Sequence, residues 1–157
     1  MPGGARRATI SPMARRYTYP GSCHCRSIEL RLESDRTPSE LGLRTDACSF
    51  CKKHHALYTS DPAGEVHLTL REAKAVERYR FGTRTADFLR CKACGVFMAA
   101  YMPERQLAVV NVHVLDAREA FLTNPLQVAD LDGETLEQRL ARRAARWTPV
   151  GSFGVRA

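Results

Sequence analysis

Six cysteines fall into three close pairs: Cys23-His24-Cys25, Cys48-Ser49-Phe50-Cys51 and Cys91-Lys92-Ala93-Cys94. None is left over. Two cysteines this close in sequence cannot close a useful disulfide loop, but they can grip one metal ion from two sides. Two such pairs build the four-thiolate tetrahedron that zinc prefers in structural positions. A chain of this kind must therefore fold so that two distant pairs converge. The third pair then lacks a partner, and whatever completes it decides whether the chain does chemistry.

Cys91-Lys92-Ala93-Cys94-Gly95 has the form of a zinc knuckle, with a glycine placed where the turn needs a positive φ. Cys23 and Cys25 are i and i+2 on an extended segment, so both sulfurs face the same way. Cys23, Cys25, Cys91 and Cys94 form the expected structural site; the alternative is four buried free thiols. Cys48 and Cys51 need at least one more ligand. The candidates are Asp46, which repeats the i, i+2 spacing before Cys48, and His54 or His55 just after Cys51. A carboxylate is a harder donor than a thiolate and would bind zinc less tightly. His67 and His113 lie in strand patterns and read as structural, and His24 as a residue that shapes the turn between two ligands.

The 157 residues suit one domain with a real core. The formal charge of +7 points to nucleic acid only until it is located. Residues 1–16 hold four arginines and no acid. Residues 134–157 hold five arginines against Glu134 and Glu137, which leaves Tyr17 to Gly133 neutral. Basicity confined to the two ends reads as a solvated tail and a solvated helix face, and argues against a nucleic-acid-binding core. No apolar run reaches transmembrane length. The first residues lack the apolar stretch of a secretory signal, so the chain reads as cytoplasmic, where reduced cysteines favour metal over disulfides. Residues 1–16 are expected to be a disordered basic extension, with Met13 an alternative start. Residues 17–150 are the expected folded unit. The sequence specifies no oligomeric state.

That unit reads as mainly β. Polar–apolar alternation predicts strands at 27–32 and 65–70. Further strands are expected at 78–81, 86–89, 96–102 and 107–115, arranged as an antiparallel sandwich or open barrel. One late helix is predicted from about Glu134 to Arg146, capped by Asp132. Leu136, Leu140, Ala144 and Trp147 share its inward face, and Trp147 is a core anchor.

Beyond these patterns, the chain resembles the glutathione-dependent formaldehyde-activating enzyme family (GFA, or CENP-V/GFA domain). The resemblance is carried by Gly21-Ser22-Cys23-His24-Cys25 with the strand Ile28-Glu29-Leu30, then by Cys48-Ser49-Phe50-Cys51-Lys52-Lys53. It continues through Phe88-Leu89-Arg90-Cys91-Lys92-Ala93-Cys94-Gly95 and Val110-Asn111-Val112 leading to Leu115-Asp116. It implies an Mss4-like, β-rich fold stapled by zinc on Cys23, Cys25, Cys91 and Cys94. It also implies a second, catalytic zinc on a C-x-C-x-x-C motif, and addition of glutathione to formaldehyde, a carbon–sulfur lyase activity of the S-(hydroxymethyl)glutathione synthase type. Two positions depart from that pattern. The first catalytic cysteine is Asp46, and the glycine after the first pair is Arg26. The second site is thus completed by Asp46, completed by a histidine, or absent. Arg44, Lys52 and Lys53 are placed to receive the carboxylates of glutathione. The competing reading is a non-catalytic, zinc-stabilised protein-interaction module of the same fold.

Overall fold

A computed structural model describes residues 15–157. The alternative start at Met13 and nearly all of the expected basic extension lie outside the described residues. The extension's last two residues do not lie free of the body. The Arg15 guanidinium pairs with Glu65 at 3.2 Å, and the Arg16 N–H donates to Asp35 Oδ1 at 2.9 Å.

Eleven strands and four short α-helices follow in the described residues. They run β1 (Tyr17–Ser22), β2 (Ile28–Ser34), α1 (Pro38–Leu41), β3 (Leu43–Asp46), α2 (Ser49–His54), β4 (Tyr58–Thr59), β5 (Glu65–Leu70) and β6 (Val76–Tyr79). Then come β7 (Asp87–Cys91), β8 (Phe97–Met102), β9 (Leu107–Asn111), α3 (Arg118–Leu122), β10 (Leu126–Ala129), α4 (Leu136–Arg146) and β11 (Thr148–Val155). No helix among the described residues is long and apolar enough to cross a membrane.

The alternation in the sequence becomes the register of the sheet. Ile28, Leu30 and Leu32 of β2 lie opposite Leu70, Leu68 and Val66 of β5, and all six side chains are buried on one face. The period of two puts them there, and a one-residue slip would turn every one of them to solvent. The strands form one continuous sheet in the order β1-β2-β5-β11-β9-β4-β3-β10, with β6, β7 and β8 joined through the β8–β9 pair. The pairing is not purely antiparallel, as the sequence suggested: β10 runs parallel to β3, and β11 parallel to β5. Both parallel partners enter from the last third of the chain, after a helix has carried it across, which short hairpin turns cannot do. β11 pairs with β5 to Val155, with a register shift between Val150 and Ser152, so the paired chain continues past residue 150.

All six residues of β8 are buried, because the strand is walled on both faces. Met98, Ala99 and Tyr101 join the larger hydrophobic cluster with β2, β5, Cys23 and Cys91. Phe97, Ala100 and Met102 join a smaller one with Cys51, Tyr58 and Trp147. β8 and β9 therefore partition two cores, and each core contains one kind of cysteine pair. At the seam, Gly21 is obligatory: a Cβ there would sit 2.3 Å from the Val114 carbonyl oxygen, where the 112–116 segment bridges back to β1.

The late helix differs from expectation in its start and its face. Thr135 is its N-cap, accepting the Gln138 N–H, while the Gln138 side chain accepts the Thr135 N–H. This reciprocal capping box outcompetes Asp132. Leu136 is 49% exposed and Ala144 lies on the solvent side, whereas Arg143 and Trp147 are the buried residues at this end.

Candidate metal centre and adjoining cleft

The turn after β1 and the turn after β7 bring Cys23, Cys25, Cys91 and Cys94 together, all four sulfurs within 4.8 Å of one another. Cys23 and Cys25 sulfurs are 3.8 Å apart, and those of Cys25 and Cys91 3.6 Å. Four thiolates at about 2.3 Å from a tetrahedral zinc lie about 3.8 Å from each other, so this donor set fits zinc. The backbone supports it. The Ile28 N–H donates to Cys23 Sγ at 3.3 Å and the Cys94 N–H to Cys91 Sγ at 3.5 Å. Hydrogen bonding with the Ser27 hydroxyl and backbone draws the Cys25 thiol down to about 6, while burial pushes Cys23 up to about 12. One sulfur is thus ready to bind as thiolate, and its buried neighbour needs the cation to ionise.

Gly95 supplies the positive φ (+82°) of its knuckle, but Arg26 holds φ +63° in the matching turn with a full side chain exposed to solvent. A non-glycine residue in the left-handed region costs about 1–2 kcal/mol. Arg26→Gly relieves this but frees the unfolded chain, and should raise stability by about 0.5–1 kcal/mol, roughly 1–4 °C in melting temperature. A thermal melt checks it; an unchanged or lower midpoint would count against strain at this turn.

The third pair lies across the β8–β9 partition. Cys48 is the N-cap of α2, and its sulfur accepts the Cys51 N–H at 3.3 Å. This N–H···S contact is the same one made in the Cys91–Cys94 knuckle, so the third pair has the local form of a metal-gripping turn. Cys51 is buried, with its sulfur 3.2 Å from the Tyr58 hydroxyl. Burial raises the Cys51 thiol to about 12, and it raises the Tyr58 phenol well above its usual range. Asp46, at the end of β3, lines a cleft with Cys48 and Tyr58. Burial raises its carboxyl, opposed by the charges of Arg142 and Arg44. Yet Asp46, Cys48 and Cys51 are not gathered as the four cysteines are: among the described residues, only the four-cysteine group brings three or more such ligand atoms within 4.8 Å. The pair has the local form of a metal-gripping turn, but no third ligand is assembled beside it.

The histidines stand apart. His54 is exposed and its ring packs on Phe50 at 4.3 Å between centroids. His55 caps α2 in the left-handed region, and its carbonyl lies 3.0 Å from His113 Nε2. His24 is exposed between its two cysteines, and His67 sits among Glu33, Glu65 and Ser152. Lys52 and Lys53 are exposed, while Arg44 turns inward to Ser60.

The far wall of the cleft is what the sequence reading missed. Arg139, Arg142 and Arg143 of α4 line it, with Trp147, Phe81 and Phe88. The arginines were expected on a solvated face. The clue lay in the helix itself, where Leu136 and Ala144 are too sparse to outweigh an arginine face that finds a half-buried partner in Thr85.

The sequence model of glutathione-dependent formaldehyde-activating enzyme matches residues 18–127. A crystal structure of a Rhodobacter sphaeroides protein is 25% identical with a TM-score of 0.56, covering 70% of this chain and 99% of that one. No curated protein matches.

Proposed function

The chain belongs to the glutathione-dependent formaldehyde-activating enzyme family, and on that premise we propose that it is a zinc-dependent carbon–sulfur lyase acting on the thiol adduct of a small aldehyde, with glutathione or a similar thiol as co-substrate. The observation that carries this reading is the second knuckle-like turn, whose Cys48 lines a cleft with Asp46 while Cys51 is buried behind it, on the other side of the sheet from the four-cysteine group. The four-cysteine staple uses two of the three pairs, and the third presents one thiol, that of Cys48, to a cavity.

Zinc on that pair would supply Lewis-acid polarisation of an aldehyde oxygen and stabilise a thiolate. The chain's own groups do the rest. The Tyr58 hydroxyl holds the Cys51 sulfur in place. The aromatic walls keep water from the reacting carbon. Asp46, with its carboxyl raised by burial, takes the thiol proton as sulfur bonds to the aldehyde carbon, and returns it to the carbonyl oxygen. The S–H bond is lost, a C–S bond forms, and the C=O becomes C–OH, so nothing is oxidised. The ligand role expected of Asp46 requires its carboxylate to move in toward the two sulfurs.

One observation favours the interaction-module reading, namely that Asp46, Cys48 and Cys51 are not drawn together. Exchange NMR between carbon-13-labelled formaldehyde and its glutathione adduct separates the two. The enzyme reading predicts interconversion faster than the spontaneous reaction, in proportion to protein concentration. Exchange at the spontaneous rate at every concentration would leave the module reading in front.

A further inference from the structure

We propose that the cleft contains an anion subsite built on Arg143, which receives the carboxylate of a ligand; the proposal extends the reading of the cleft as a thiol–aldehyde site. Arg143 is only 7% exposed. One terminal nitrogen donates to Thr85 Oγ1 at 2.7 Å, and its guanidinium lies over the Trp147 ring, 4.7 Å from the centroid. Its Nε is buried with no hydrogen-bond partner. Among the described residues no carboxylate pairs with it. Glu134, just before the N-cap of α4, is taken by Arg139 at 3.1 Å and by Arg142 at 2.9 Å.

A buried guanidinium is costly unless an anion and hydrogen bonds compensate it. The groups facing it make this worse. Burial first, and then Arg139 and Arg142, draw its pKa down to about 10; Glu134 and Asp46 oppose them weakly. Asp130 and Asp132 lie at the cleft but are exposed, so water screens them. What is missing is a small, planar, two-oxygen acceptor, which is what a guanidinium fork binds best. The cleft, at ≈ 130 Å³, has room for a ligand of a few heavy atoms, lined by the same Cys48 and Asp46 that face the proposed chemistry. A carboxylate on Arg143 would hold the reacting end of its ligand beside them. α4 lies outside the matched span of residues 18–127, so this wall is not part of what the family comparison covers.

Two ligands could bring that carboxylate: an aldehyde that itself carries one, or the thiol. The chain has a single tryptophan, and it is the ring against which Arg143 packs. Its fluorescence therefore reports the subsite without turnover and without a second metal. The wild-type protein is titrated with acetate, glyoxylate and glutathione, with sodium chloride and neutral formaldehyde as controls. Expected is a saturable change with acetate and glyoxylate that chloride and formaldehyde do not produce, weakened about tenfold or more in Arg143→Lys, which keeps the charge and loses the fork. Saturation at lower glutathione than glyoxylate assigns the carboxylate to the thiol, and the reverse order to the aldehyde. No saturable response of the wild type to any carboxylate overturns the proposal, as does an unchanged response in Arg143→Lys with native circular dichroism. Binding with no catalysed exchange would overturn the lyase reading and leave the subsite standing.

Discussion

Replacing Cys91 with serine is expected to release zinc from the four-cysteine site and unfold the chain. Cys91 is fully buried, ends β7 and lies opposite Val76 of β6. Its sulfur is 3.6 Å from that of Cys25, which reaches it from a segment 66 residues earlier. Structural zinc contributes on the order of 10 kcal/mol in small metal-stapled domains. The net stability of a domain is typically about 5–15 kcal/mol, so losing the ion removes most or all of it. Circular dichroism and elemental analysis of the purified variant check this. A cooperative melt near the wild-type midpoint would show that the two turns are held by packing alone.

Replacing Cys48 with serine is expected to do the opposite, leaving the fold intact while abolishing turnover. Cys48 lines the cleft and caps α2 through its acceptance of the Cys51 N–H. Serine is a good N-cap, so the helix end should change by about 1 kcal/mol or less. What is lost is the soft donor. A fall in exchange rate of about a thousandfold corresponds to roughly 4 kcal/mol of transition-state stabilisation. A variant that melts normally and still catalyses exchange would take Cys48 out of the chemistry. The two serine variants thus separate the two cysteine turns: one change should cost structure, the other only reaction.

Local patterns in the sequence predicted what local forces decide. The strands at 27–32 and 65–70 follow from alternation, and they appear at Ile28–Ser34 and Glu65–Leu70. The convergence of Cys23 and Cys25 with Cys91 and Cys94 followed from ligand spacing. Long-range contacts decided the rest. The run from Leu107 to Leu115 is broken after Asn111, whose side chain donates to the Phe97 carbonyl and accepts the His113 N–H, turning the chain into a short 3-10 segment. β4 is only two residues long and exists because β9 and β3 flank it. α2 is one and a half turns, too short for any periodic signal, and its cap is a cysteine. On α4 the leucines and alanines suggested one inward face, but Thr85 and Trp147 make a place for Arg143 that no helical pattern contains. The cleft went unread for that reason, although Asp46, Cys48 and Cys51 were singled out.

On the proposed function, the four-cysteine group and the Cys48–Cys51 turn each hold a zinc ion, one for structure and one for reaction, and zinc per chain tests this. Elemental analysis of tag-free protein, purified without chelator, should give about two zinc ions for the wild type and about one for Cys48→Ser, with the same melting behaviour. About one in both would mean that only the four-cysteine staple is filled, and would contradict the account.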